Sequence, residues 1–215
     1  MKKIKSDNLV DLVYQRIKEM ILNGIIAPGD KMNKMELSEQ LGVSITPINE
    51  VINRLTGEKF IEKRGRKGYF VKELTLKDLT EFFTVRAGLE GMAIRLCIED
   101  LPENELVEFK HFFTGYHLPL NQEEMKKYIK EDQMFHEKII KLCGNSIITD
   151  FDQNFCFVMK SYQKGLVRPP EETLPEHQEI IKAVIEKKSQ KAQELLINHL
   201  LKSMHALKSR YSEKS

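Results

Sequence analysis

The chain has 215 residues, of which 41% are hydrophobic and 31% are charged, and its formal net charge is +2. This length allows one large domain or two small ones, and the apolar fraction allows a sizeable core. The charge is modestly divided, because residues 1–73 hold 14 basic and 10 acidic side chains whereas residues 74–215 hold 20 and 22. No apolar run approaches the length of a membrane span, which argues against an integral membrane protein.

Two further features indicate the compartment. Residues 1–5 are basic, but Asp7 follows in place of an apolar segment, so no signal peptide is expected. The three cysteines show no CxxC spacing and occur in apolar helical contexts, which favours buried, reduced thiols. They are Cys97, Cys143 and Cys156. We therefore expect a soluble cytoplasmic protein.

The first predicted element is a helix over residues 8–23, which carries a single apolar stripe. A short amphipathic helix follows over residues 35–41 and stops at Gly42. A further helix begins at Thr46. Pro47 suits its first position, because an N–H group there would have no hydrogen-bond partner within the helix. Its apolar residues recur at helical spacing.

A small hairpin is predicted after these helices. Residues 60–63 and 69–71 are its arms, and residues 64–68 form a basic, glycine-containing turn. Two helices joined by a tight turn, followed by a hairpin with a cationic tip, predict a winged helix-turn-helix. We place this domain at residues 1–73.

The remaining residues, 74–215, show helical patterns without any strand pattern and predict a six-helix antiparallel bundle. Thr75 with Asp78, and Asn121 with Glu124, have the spacing of N-terminal capping boxes. The predicted helices cover about residues 76–99, 102–113, 121–144, 146–165, 172–187 and 189–211. Two glycines in the first of them make a kink conceivable.

Four residues of the bundle have the chemistry of metal ligands. Asp132 and His136 are four apart and share one helix face, whereas His177 and His199 lie among apolar residues on the last two predicted helices. A charged aspartate facing a core is costly unless it is paired or binds a metal. Three imidazoles and one carboxylate suit zinc, nickel or another first-row divalent ion, with positions left for water or a ligand.

Simpler interpretations of these residues remain open at this point. A histidine near an apolar face can be a hydrogen-bonded core residue, and Asp132 with His136 can be an ordinary helical pair. Arg86 and Glu90 are also four apart; they indicate a surface ion pair unless Arg86 points inward and binds a carboxylate. The other histidines are expected in surface or loop positions. They are His111, His117 and His205.

The two halves of the chain resemble parts of the GntR family of bacterial transcription regulators. Residues 1–73 match its DNA-binding domain at residues 21–24, 28–30, 37–44, 46–47, 50, 54–55 and 68–71. The rest resembles the FadR-type ligand-binding domain, or FCD domain, at residues 85–90, 132–136, 144–145, 176–180 and 198–200. Six rather than seven helices resemble the VanR-type subgroup.

The resemblance implies a homodimer that binds a near-palindromic operator. The dimer releases the DNA, or binds it differently, when a small metabolite enters the bundle. In metal-containing members, the aspartate and three histidines of these motifs hold the ion, which implies one divalent transition metal per chain on the four residues named above. In such members a small organic acid binds at or near the metal. Arg86 is then implied as a partner for its carboxylate, with Asn145 as a further candidate.

Two positions depart from the family pattern. Ile45 and Asn49 stand where members usually carry arginines that touch operator phosphates and bases, so either the operator differs or DNA binding is weaker here. The helix over about residues 46–56 is expected in the major groove, with the wing on the backbone or minor groove. The residues expected to contact DNA are Lys31, Lys34, Ser44, Thr46, Asn49, Arg54, Arg64, Arg66 and Lys67.

The main prediction is therefore a ligand-responsive transcription regulator of mainly α fold. Two alternatives remain. Three histidines and a carboxylate with an open coordination position could activate water in a metal-dependent hydrolytic enzyme, although no further general base is evident. In the other alternative the protein is a regulator and its metal is purely structural.

Overall fold

The computed structural model describes residues 6–152 and 166–212. The described chain folds into two compact units, the first of which ends at Leu74 and the second of which begins at Thr75. None of the helices in these described residues is long and apolar enough to cross a membrane.

The first unit is built from three helices and a two-stranded sheet. Its elements are α1 (Ser6–Leu22), α2 (Lys34–Leu41), α3 (Ile45–Gly57), β1 (Ile61–Lys63) and β2 (Tyr69–Val71). The strands are antiparallel, with Ile61 opposite Val71, and the short 3-10 helix Gly65–Lys67 lies between them. The predicted winged helix-turn-helix is confirmed.

Local capping and one apolar face explain the helix-turn-helix. Asn33 Oδ1 accepts a hydrogen bond from the backbone N–H of Met35 at 3.2 Å and begins α2, which Gly42 ends in the left-handed conformation at φ 64°. α3 begins at Ile45, so Pro47 is its third residue and not its first. Its missing N–H still falls in the first turn, where no intrahelical acceptor exists. The apolar face of α3 is fully buried at Ile48, Val51, Ile52 and Leu55.

The second unit is all helical in the part of the chain that the structure describes. Its helices are α4 (Leu76–Glu99), α5 (Glu103–Phe109), α6 (Gln122–Leu142), α7 (described for residues 146–152), α8 (Pro170–Ile185) and α9 (Ser189–Ser212). The predicted mainly α fold with a helical bundle is confirmed. The rest of the predicted fourth helix, to residue 165, lies outside the described residues, as does Cys156. Cys97 and Cys143 are buried free thiols, as expected.

α5 is shorter than the sequence predicts. The apolar pattern continues to Phe113, but the helix ends at Phe109, and Phe113 adopts a left-handed backbone conformation with φ 55°. The Phe113 ring is buried and stacks on His177, with ring centroids 4.2 Å apart and planes 5° from parallel. Tertiary packing of this ring, and not helical periodicity, therefore accounts for the last apolar residue.

α4 is one continuous element of 24 residues despite its two glycines. A Cβ atom built on Gly91 would lie 2.5 Å from Cγ1 of Ile197 on α9, whereas one built on Gly88 would meet nothing within 4 Å. Gly91 therefore permits the close approach of α4 and α9, whereas packing does not require a glycine at position 88.

This difference predicts opposite effects of alanine at the two glycines. Gly91→Ala is expected to destabilise the protein by about 1–3 kcal/mol, because the added methyl group overpacks the interface between α4 and α9. Gly88→Ala is expected to stabilise it by up to about 1 kcal/mol, because alanine favours the helix. Urea unfolding of both variants measures this, and equal effects at the two positions would contradict the packing explanation.

Candidate metal centre and basic wing

The structure brings the four predicted ligands together. Asp132 and His136 on α6, His177 on α8 and His199 on α9 each offer one ligand atom, and these atoms all lie within 4.8 Å of one another. The three histidines are buried and Asp132 is half-buried. The convergence that spacing alone left open is therefore present. The other three histidines, His111, His117 and His205, are exposed, as expected.

Each of the three histidines has its Nδ1 atom occupied by a partner outside the cluster. His136 Nδ1 pairs with Glu90 Oε2, His177 Nδ1 with the Tyr128 hydroxyl at 2.9 Å, and His199 Nδ1 with Glu176 Oε2 at 2.8 Å. Histidines that bind metals usually donate their second ring N–H in this way, which fixes the ring and its tautomer. Nε2 of each ring is left as the ligand atom.

A chain of hydrogen bonds fixes the proton of His177. The Pro169 carbonyl only accepts, so the Thr173 hydroxyl donates to it at 3.3 Å and accepts from the Tyr128 hydroxyl at 2.8 Å. The Tyr128 oxygen then accepts from Nδ1–H of His177. His177 Nε2 therefore carries a lone pair, and it is a buried atom without a hydrogen-bond partner among the described residues. A buried acceptor of this kind fits a metal ligand.

Two of the imidazoles, those of His177 and His199, are held in the neutral form, which is the form that binds metals. Burial lowers the pKa of His177 well below 6.5, and repulsion from any proton on the neighbouring His199 or His136 lowers it further. Burial also lowers the pKa of His199, because its hydrogen bond to Glu176 offsets only part of the desolvation. Three imidazoles and one carboxylate are a donor set that suits a first-row divalent ion.

The Arg86–Glu90 pair forms, but it is not the surface pair that spacing favoured. Glu90 is only 1% exposed, and its two oxygens pair with Arg86 Nε and with His136. Burial alone raises the pKa of the Glu90 carboxyl, but the charge of Arg86 and the hydrogen bonds from His136 and Arg86 outweigh it and lower the pKa to about 2. Glu90 is therefore an ionised carboxylate inside the bundle.

Glu176 is held by a buried arginine that the sequence pattern did not single out. Arg168 is 5% exposed; its Nη1 lies 3.1 Å from Glu176 Oε1, its Nη2 pairs with Oε2, and its Nε donates to Ser203 at 3.2 Å. Lys202 adds a contact to Glu176 at 2.7 Å from the exposed side. Burial raises the pKa of Glu176, but hydrogen bonds from these cations and from His199 outweigh it and lower the pKa well below its usual range.

A small cavity of about 30 Å³ lies beside the cluster. It has room for one or two water molecules. Its lining includes Phe83, Arg86, Asp132, His136, Arg168, Thr173, His199 and Ser203. Asn145, the second predicted ligand-binding residue, lies elsewhere: its Oδ1 accepts from the backbone N–H groups of Ile147 and Ile148, both at 3.1 Å, and so caps α7.

The predicted DNA-contacting residues fall into two groups in the first unit. The first group lies open at the wing and at the start of α3. Lys31 pairs with Phe70 in a β-bridge, and Lys34 Nζ lies 4.7 Å from the centre of the Tyr69 ring. Lys63 lies over the same ring at 5.9 Å, so it joins this basic surface although it was not predicted to. The remaining members, exposed or half-exposed, are Ser44, Thr46, Asn49, Arg66 and Lys67.

The second group, Arg54 and Arg64, has partners within the unit. Arg54 pairs with Asp11 at 2.9 Å and lies 3.8 Å over the ring of Tyr14, so it joins α3 to α1. Arg64 pairs with Glu62 at 2.5 Å and with Glu73 at 3.0 Å. A phosphate would therefore compete with these carboxylates for either guanidinium group.

A winged helix-turn-helix in one unit and a helical bundle in the other define the class of two-domain DNA-binding regulators. The family model of the FCD domain matches residues 81–202, and that of bacterial regulatory proteins of the gntR family matches residues 9–71. The protein belongs to the GntR family of bacterial regulatory proteins and carries an FCD domain.

Individual relatives agree with this assignment. The chain is 28% identical over 193 residues to the HTH-type transcriptional regulator YdhC of Bacillus subtilis, covering 86% of this chain and 85% of the relative. It is 24% identical over 199 residues to the HTH-type transcriptional repressor GlaR of Escherichia coli, covering 87% and 90%. The solved structure of E. coli McbR/YncC shares the fold, with a TM-score of 0.72 at 23% identity over 94% and 98% of the two chains. The family is regulatory, not enzymatic.

Proposed function

We propose that this protein is a ligand-responsive transcription regulator that binds a near-palindromic operator as a homodimer and senses a small organic acid at a metal ion in its helical domain. Residues 1–73 bind DNA in this proposal, residues 74–215 hold metal and ligand and form the dimer, and the protein acts in the cytoplasm. The observation that supports it is the convergence of three imidazoles and one carboxylate, whose ligand atoms all lie within 4.8 Å of one another.

The four residues of this cluster would hold one divalent transition metal ion per chain, such as zinc or nickel. A bound ion of this kind supplies a Lewis acid that accepts a carboxylate oxygen. Arg86 lies in the wall of the adjoining cavity and offers a guanidinium group to the same carboxylate. The acid then changes the packing of the bundle, and through it the spacing of the two DNA-binding domains in the dimer.

The open basic group supports the DNA-binding half of the proposal. α3 enters the major groove with Ser44, Thr46 and Asn49 near its N-terminus, and the wing places Arg66 and Lys67 on phosphates or in the minor groove. The lysines beside β2 add backbone contacts, which supply affinity without reading sequence. For Arg54 and Arg64 a phosphate competes with their internal carboxylates.

A mobility-shift assay tests the whole proposal. Purified protein is mixed with the intergenic DNA upstream of its own gene, after treatment with chelator or with Zn²⁺ or Ni²⁺, and with a series of small carboxylic acids. We expect specific retardation that an acid alters only in the metal-loaded protein. Absence of specific binding under every condition contradicts the proposal. If chelation lowers the melting temperature but leaves the response to acids unchanged, the metal is structural.

The departures at α3 give a prediction of their own. Ile45 is 44% exposed at the start of α3, and an apolar side chain suits a thymine methyl group where arginine suits guanine. The double substitution Ile45→Arg with Asn49→Arg is expected to tighten non-specific DNA binding and to steepen its salt dependence by up to about two units of slope. Titrations at several salt concentrations measure this, and an unchanged slope would mean that these positions face away from DNA.

A further inference from the structure

Glu90 is a buried carboxylate shared by two groups that have different tasks in the proposed function. Its Oε1 accepts from Nε of Arg86, one turn earlier on α4, and its Oε2 accepts from Nδ1–H of His136 on α6. Arg86 is the proposed anion partner, and His136 is a proposed metal ligand. The two functions therefore meet on one side chain, which is 1% exposed.

An ionised carboxylate in this position has a physical cost and needs both partners. Taking a charge out of water is unfavourable unless it is paired and hydrogen-bonded. The other glutamate behind the cluster is Glu176, whose side chain is 19% exposed and is also contacted by Lys202 from the solvent side. The side chain of Glu90 is only 2% exposed. A change in the interaction between Arg86 and Glu90 therefore also changes the interaction between Glu90 and His136, because little water is present to screen the Glu90 charge.

We infer that Glu90 is a positioning residue that couples the anion site to the metal site, an inference that rests on the proposed function. An anion on Arg86 takes up part of the guanidinium charge. More of the Glu90 charge then acts on Nδ1–H of His136, and its Nε2 becomes a stronger donor to the ion. Because linkage is reciprocal, the ion in turn favours the anion by the same factor.

The chain offers a matched control for a test of Glu90. Arg95 and Glu99 form the same four-residue pair on α4, at 3.6 Å, but both side chains are about half-exposed. Co²⁺ binding is followed by visible absorption in wild type, Glu90→Gln and Glu99→Gln. We expect Glu90→Gln to weaken Co²⁺ binding about ten- to hundredfold and Glu99→Gln to leave it unchanged. Equal affinity in wild type and Glu90→Gln overturns the inference.

Acetate distinguishes coupling from a purely structural role. Repeating the titrations in saturating acetate is expected to tighten Co²⁺ binding about fivefold or more in wild type and Glu99→Gln, and distinctly less in Glu90→Gln. A structural role would lower the melting temperature of metal-free Glu90→Gln but leave the acetate factor at its wild-type value, which overturns the inference. If the wild-type protein binds no Co²⁺, the proposed metal site itself is wrong. That result contradicts the proposed function and not only the coupling through Glu90.

A measurement on the wild type covers the case in which Glu90→Gln does not fold. Long-range ¹H–¹⁵N spectra of the metal-free protein report the tautomer of each imidazole. The contact with Glu90 requires that His136 carry its proton on Nδ1 and a lone pair on Nε2. A His136 proton on Nε2 would show that Glu90 does not orient the ring, and the coupling would then be wrong.

Discussion

Asp132→Asn is expected to lower metal affinity about a hundred- to thousandfold. Asp132 supplies the only negative charge among the four candidate ligand atoms, and the amide oxygen that replaces it is neutral. Structural zinc sites bind with about 10–16 kcal/mol, so one ligand of four carries about 2.5–4 kcal/mol, which corresponds to that loss. Asparagine has the same shape, and the Asp132 side chain is 22% exposed, so the fold should be retained.

Competition with a chromophoric chelator measures this affinity, and elemental analysis gives the metal content per chain. Asp100→Asn serves as the control, because Asp100 is an exposed residue just beyond α4. The melting temperatures of both metal-free variants should match that of wild type. If Asp132→Asn binds the ion as tightly as wild type, Asp132 is not a ligand and the histidines must be completed by another group.

Helix ends follow from the sequence where the determining contacts are local. The capping boxes at Thr75 with Asp78 and at Asn121 with Glu124 both form, because the groups of each box lie within one turn. The end of α5 could not be predicted in this way. Phe113 continues the apolar spacing, but its ring packs against a helix 64 residues further on, which outweighs helix propensity at that position.

The candidate site divides along the same line. The four candidate ligands could be named from an i,i+4 pair and from apolar helix faces, although their convergence could not be predicted. The carboxylates that contact these histidines could not be predicted from the sequence. Glu90 is 46 residues from His136 along the chain, and Glu176 is 23 residues from His199. Spacing also placed the Arg86–Glu90 pair at the surface, whereas packing of α4 against α6 and α9 buries Glu90.

Arg168 is a residue whose importance no local sequence pattern predicts. Its contacts are nevertheless expected to contribute strongly to the stability of the folded protein. It precedes α8 in a Val-Arg-Pro-Pro stretch, which reads as a loop, yet its guanidinium group is buried between α8 and α9. It holds Glu176 with two nitrogens and also donates to Ser203 and to the His199 carbonyl. The loop is thereby fixed to two helices that each carry a candidate metal ligand.

Arg168→Met is accordingly expected to destabilise the metal-free protein by about 3 kcal/mol, at the lower end of the cost of breaking a buried ion pair, because Lys202 and His199 still contact Glu176. The corresponding fall in melting temperature is about 6–12 °C. Methionine retains much of the apolar stem, so the loss reports the guanidinium contacts.

Arg95→Met is the matched control, because it removes an arginine from a half-exposed pair with Glu99 and should change stability by no more than about 0.5 kcal/mol. Arg168→Lys discriminates charge from geometry: lysine restores the positive charge but not the two-nitrogen grip on Glu176, so its stability should fall between those of Arg168→Met and wild type. Calorimetry and urea unfolding give these values. Equal stability of Arg168→Met and Arg95→Met would mean that Arg168 does not fix the loop, and that His199 is held in place without it.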